Sequence, residues 1–128
     1  MATAKGFDLA ELEQTDTTTI DLINPKTDEP IPGVTATIYG QDSEKGRAAT
    51  AAAQARYVDI ARKNRGKVTP EQTDAIEMKK FVAVTKSIDG LVSGGVPITD
   101  VAEIFAKVPA FYDQVKQDFS DRKLFTKA

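Results

Sequence analysis

The chain contains no cysteine, no histidine and no tryptophan. Without Cys, disulfides and thiolate metal sites are excluded. Without His, the commonest general base and the commonest metal ligand are both missing. Catalysis would fall to carboxylates, Lys, Tyr and hydroxyls alone. An enzyme can be built from these, but the composition disfavours one, and no catalytic residues, no cofactor and no metal are expected. Long apolar runs are also missing, and no stretch approaches the roughly 18–20 apolar residues of a membrane span. The first residues, Met1-Ala2-Thr3-Ala4-Lys5-Gly6, have no apolar run after their lysine and do not read as a signal peptide. A cytoplasmic protein without a membrane partner is the expectation. Aromatics make up only 7% of the chain, so its core must be built from Ala, Val, Ile, Leu and six Phe.

What is present suits one soluble domain. The 128 residues are 41% apolar and 28% charged, enough for a single core. Net charge is −2, but it is unevenly spread. Residues 1–40 carry two lysines against seven carboxylates, a net of −5; the remainder carries fifteen cations and twelve carboxylates, a net of +3. An acidic front and a mildly basic rear suit head-to-tail self-association, though exposed charges are screened by salt. The same balance argues against nucleic acid as a partner.

Residues 1–17 are polar and acidic, with isolated apolar points at Phe7, Leu9 and Leu12. They read as a flexible acidic arm, docked if at all through those three. Residues 18–128 read as one α+β domain. Ile20 and Leu22 alternate with Thr19, Asp21 and Ile23, approximately the period of a strand. Asn24-Pro25-Lys26-Thr27-Asp28-Glu29-Pro30 is a turn, in which Pro25 presets φ and Asp28 tolerates left-handed geometry. Val34–Tyr39 forms the second strand, with Val34, Ala36 and Ile38 on one face. The hairpin over about residues 18–40 is marginal alone and must pack on something.

Helices are expected over about residues 43–124. Asp42 or Ser43 caps the first, which runs to Asn64 through an Ala-rich middle of high helix propensity, with Gly66 just past its end. Thr69-Pro70-Glu71-Gln72 has the form of a capping box with Pro at the first helical position. The helix it starts is expected to continue to Ser93, where Ser93-Gly94-Gly95 ends it. Thr99 is expected to cap a third, short helix. Pro109 separates it from a fourth, and the tail from Ser120 is expected to fray. The expected architecture is an N-terminal antiparallel hairpin packed on a C-terminal bundle of about four helices.

Few candidate sites survive comparison with a structural role. The basic cluster Arg62-Lys63-Asn64-Arg65-Gly66-Lys67 reads as cations complementing a helix C-terminus. Ser93-Gly94-Gly95-Val96 lacks the pattern of a phosphate loop. Ser43 has no base to activate it. Asp113, Asp118 and Asp121 scatter around a helix and read as a solvated face, as do Lys79 and Lys80. One stripe carries a sharper alternative: Val101, Ile104, Phe105, Phe111, Val115 and Phe119 form either intramolecular core or a face that receives a partner segment.

The segment Ile20–Pro30, followed by Thr37-Ile38-Tyr39-Gly40-Gln41-Asp42-Ser43, resembles the N-terminal part of the tail assembly chaperones of lambda-like long-tailed bacteriophages. In that family a strand ends in a Pro-Thr-Gly-like turn, a second strand closes in Gly-x-Asp-Ser, and an Ala- and Arg-rich helix follows. Asp28 stands here where the pattern more often has Gly. The resemblance covers about residues 15–65. It implies a protein of the host cytoplasm, absent from the mature virion, that binds the tape measure protein, keeps it soluble and recruits tail tube subunits. It also implies self-association and a longer, frameshifted form of the same chain as partners, this sequence being the short form. The competing readings are a tail completion or connector protein resident in the virion, a non-phage adaptor of the same plan, and an enzyme built without His or Cys.

Overall fold

The computed structural model describes residues 6–126. Its strands and helices are β1 (Thr17–Ile23), β2 (Pro30–Tyr39), α1 (Glu44–Lys63), α2 (Pro70–Val84), β3 (Thr85–Asp89), β4 (Val92–Ser93), β5 (Val96–Pro97), α3 (Val101–Lys107) and α4 (Pro109–Phe119). Two 3-10 turns, Leu9–Leu12 and Arg122–Phe125, flank them. The fold is α+β: an N-terminal antiparallel hairpin of β1 and β2, followed by four helices.

The hairpin turns where the proline and aspartate place it. Lys26 N–H donates to Asn24 Oδ1 at 2.8 Å, and Asp28 N–H donates to the Asn24 carbonyl at 2.8 Å. Asp28 has φ +58°, the left-handed conformation that an aspartate tolerates better than most residues. Alternation along β2 buries Val34, Ala36 and Ile38 on one face, and Ile20 and Leu22 join them from β1.

A third strand replaces the rear of the expected long second helix. That helix ends at Val84 rather than Ser93, and β3 pairs antiparallel with β2, so the order is β1-β2-β3 with β2 central. Register slips between Ser87 and Thr85, opposite Thr37 and Ile38, a bulge that leaves Lys86 exposed. Ser93-Gly94-Gly95-Val96 is not a helix terminus but a tight hairpin turn between β4 and β5. Both central glycines take positive φ, +58° and +82°, as a two-residue turn between twisted strands demands.

Helix starts follow the local chemistry. Thr69 and Gln72 exchange the two hydrogen bonds of a capping box, with Pro70 at the first helical position. Asp100, not Thr99, caps α3, its carboxylate accepting from Glu103 N–H at 3.3 Å. At the end of α1, Arg65 rather than Gly66 is the first residue in the left-handed conformation; Gly66 follows it there and donates back to the Ala61 carbonyl at 2.6 Å.

The core lies between the inner face of the sheet and α2, α3 and α4. Leu22, Ile38, Val84, Ile88, Phe105 and Val115 are its fully buried large side chains. Each contributes about 1.5–3 kcal/mol by leaving water. Phe81 bridges α2 to α4, edge-on to Phe119 at 5.5 Å and to Tyr112 at 5.8 Å between ring centroids. The tail expected to fray is held at least to Thr126: Phe125 is buried, and Thr15 N–H donates to its carbonyl. Residues 127–128 lie outside the described residues, as do residues 1–5 of the expected arm.

Candidate partner-binding surfaces

The stripe expected as a possible partner face turns inward. Ile104, Phe105, Phe111, Val115 and Phe119 are each at most 3% exposed, and Val101 is half-buried against them. Of the two readings of this stripe, intramolecular core or partner face, its side chains take the first, and their assignment as partner-binding residues is corrected to core. The reason is geometric: α4 lays its apolar side on β1 and β2, while α3 covers β3 and the end of α2. A hairpin alone is unstable, and these two helices supply the apolar surface it requires. Ile104 and Phe111 edge a small cavity of about 110 Å³ between the β4–β5 hairpin and α3, with Leu91, Val92, Ile98 and Val108, and Phe119 edges a groove beside α1.

Exposed apolar surface is found elsewhere. Among the described residues the large exposed apolar side chains are Phe7, Leu9, Leu12, Val58, Val92, Val96 and Leu124. Phe7, Leu9 and Leu12 flank or form the first 3-10 turn, which Asp8 caps. The sequence offers them as docking points for the arm if it docks at all, and they are 71%, 76% and 55% exposed. Val58 lies on α1, the longest helix. Of its twenty residues only Gly46, Ala49 and Ala53 are buried, all against the rest of the fold through small side chains. Its outer side offers two adjoining open grooves. One is lined by Ala51, Gln54, Ala55, Val58, Asp59 and Arg62; the other adds Arg47 and Lys80 around Ala51 and Gln54.

The corner from β2 into α1, which carries the family resemblance, is a built joint. Ser43 Oγ donates to the Gly40 carbonyl at 2.7 Å and accepts from Gly46 N–H at 2.9 Å. One hydroxyl bond caps α1 and the other closes the corner, which leaves Ser43 a structural residue. Gly40 lies under the Phe125 ring, where a β carbon would come within 2.9 Å of it. Gln41 N–H donates to the Phe119 carbonyl at 3.3 Å and its side chain donates to the Ser120 carbonyl at 3.1 Å. Asp42 takes a two-pronged bond from Arg122, at 2.8 and 3.1 Å. That hydrogen bond and charge hold the Asp42 carboxyl below its ordinary pKa. Gly40, Gln41 and Asp42 thus tie the N-terminal half to the C-terminal segment, while Ser43 holds the corner itself. The contributions of Phe125 and Arg122 carry no periodic signal in a short polar tail.

The remaining candidates stay structural. Lys63 pairs with Asp59 one turn back, and Arg62 and Lys63 close α1. Asp118 is pushed above its ordinary pKa by burial and then by the charge of Asp121, while Gln114 opposes the shift. Among the described residues no group of three or more Asp, Glu, His or Cys is placed to hold a metal ion. No helix among them is long and apolar enough to cross a membrane.

No protein-family model, no curated protein and no solved structure matches this chain.

Proposed function

We propose that the chain is a tail assembly chaperone of a long-tailed bacteriophage. It binds the tape measure protein, keeps it soluble and recruits tail tube subunits while the tail is built. It works in the host cytoplasm, together with a longer frameshifted form of itself, and leaves before the virion is complete. It is a binding protein and not an enzyme.

The observation that carries this reading is the unit from Ile20 to Ser43. The residues on which the resemblance rests form a single hydrogen-bonded strand, turn, strand and corner. Asp28, standing in place of the family's usual Gly, adopts the backbone conformation that a Gly would take there. The physical demands of the task also fit. A holdase for a long client must present apolar surface repeatedly along it, and α1 and the N-terminal segment both leave such surface uncovered. Repetition along an extended client follows from contacts between copies that do not close into a pair.

Mass spectrometry of purified particles from a phage encoding this chain tests the reading. A chaperone is missing from the particles and present in the infected-cell lysate. A chain recovered at fixed stoichiometry in the virion is instead a completion or connector protein.

A further inference from the structure

The most unusual surface of the molecule is the outer side of α1. A twenty-residue helix normally buries a continuous apolar stripe against its core. Here the buried positions are a glycine and two alanines, and Ala51, Ala55 and Val58 face outward. All three line one groove of about 510 Å³, and Ala51 continues into an adjoining one of about 500 Å³ that reaches Arg47, Lys80 and Phe119, the two making one continuous surface. Small side chains leave room there for large ones. Arg47 and Lys80 stand at one end of this surface and Arg62 at the other. None of these three makes an ion pair among the described residues.

The N-terminal segment is its complement. Within six residues it exposes Phe7, Leu9 and Leu12, large apolar side chains with nothing packed over them, interleaved with Asp8 and Glu11. Its own copy's groove does not receive it: no residue of the segment lines either concavity. The segment's exit is fixed by Gln14, whose side chain donates to Thr126 Oγ1 at 3.2 Å, and by Thr15, bonded to the Phe125 carbonyl.

We propose that the segment around Phe7–Leu12 of one copy docks in the α1 groove of a second copy. Phe7, Leu9 and Leu12 cover Ala51, Ala55 and Val58, and Asp8 and Glu11 meet Arg47 and Lys80. Charge complementarity selects this occupant. The groove's one carboxylate, Asp59, is paired with Lys63, which among the described residues leaves Arg47, Lys80 and Arg62 as its unpaired charges, and the segment carries carboxylates; the apolar cavity beside the β4–β5 hairpin has only Lys107, which already pairs with Glu103 at 3.2 Å. Each copy has one segment and one groove, so the contact is heterologous and extends into an open array. The inference rests on the self-association in the proposed function, but not on its phage client.

Two full-length variants test it by complementation. Phe7→Ser/Leu9→Ser/Leu12→Ser spoils the segment and keeps the groove; Arg47→Glu/Lys80→Glu spoils the groove and keeps the segment. All the apolar side chains replaced are exposed, so circular dichroism should match the wild type. Should the charge swap disturb folding, Val58→Asp takes its place. In sedimentation velocity the wild-type mass should grow with concentration and fall back at high salt. Each variant alone should stay at monomer mass, and their equimolar mixture should give a heterodimer that grows no further. A wild-type chain that remains monomeric overturns both the inference and the self-association beneath it. A segment variant that assembles as the wild type does, or a mixture that forms no heterodimer, overturns the inference alone.

Discussion

A β carbon on Gly46 would stand 1.9 Å from the carbonyl oxygen of Gly40. Gly46 occupies the first turn of α1, where its N–H also meets the Ser43 hydroxyl. An alanine ordinarily stabilises a helix by about 1 kcal/mol relative to glycine. At this position the gain is reversed, because backbone rather than a yielding side chain fills the space. Gly46→Ala should cost about 1–3 kcal/mol, the range of overpacked sites. Chemical denaturation measures it, and a midpoint equal to or above the wild type would contradict the close approach.

The side-chain amide of Gln114 occupies the outer edge of β1. Its Oε1 accepts from Ile23 N–H at 3.0 Å and its Nε2 donates to the Asp21 carbonyl at 2.7 Å, as a neighbouring strand would. Edge strands left open invite pairing with other chains. Gln114→Ala should lose about 1–2 kcal/mol of stability and speed amide exchange at Ile23. Unchanged exchange there would show that the pairing contributes nothing.

Phe105 and Phe111 are the residues most exposed to reinterpretation, since the sequence permits them as partner anchors. Buried to 1% and 3% exposure, they belong to the core. Each truncation to Ala should cost about 3–5 kcal/mol. Together they approach or exceed the roughly 5–15 kcal/mol that holds a small domain folded. The double variant should be unfolded or largely so by circular dichroism. A folded double variant with impaired partner binding would restore the partner-face reading.

Tyr112 lies between Phe81 and Phe105, and burial, followed by the charges of Glu77 and Asp74, pushes its pKa up to about 12. In the unfolded chain its phenol ionises near its ordinary value of about 10. A raised pKa in the fold means a contribution to stability that is complete below about pH 10 and lost as pH climbs toward about 12. Tyr112→Phe should flatten that part of the stability profile. Spectrophotometric titration showing all three tyrosines ionising together at the ordinary value would contradict the assignment.

The hairpin, α1 and the capping box of α2 are legible in the sequence because each depends on local chemistry: Asp28 in the turn, Ser43 at the cap, and Thr69 with Gln72. β3 is not, and its bulge explains why. Phe81, Val84, Thr85 and Ile88 are buried, spaced three and four apart as on a helix, because the bulge at Lys86 breaks the alternation a strand would show. Only the clustered β-branched residues Val82, Val84, Thr85 and Ile88 ahead of Gly90 hint at the change. The stripe from Val101 to Phe119 is legible as apolar but not as inward-facing, since periodicity names a face without saying what covers it. The docking of Phe125 on Gly40 joins residues 85 apart, which no local pattern encodes. The exposed side of α1 escapes notice because its alanines look like helix propensity rather than surface.

Co-expression of this chain with the tape measure protein of the phage that encodes it tests the central claim most directly. The proposed function predicts that the long protein is insoluble alone, becomes soluble with this chain or with its frameshifted form also present, and co-purifies with it. A tape measure protein that remains insoluble with both forms present, or that is soluble without either, would contradict it.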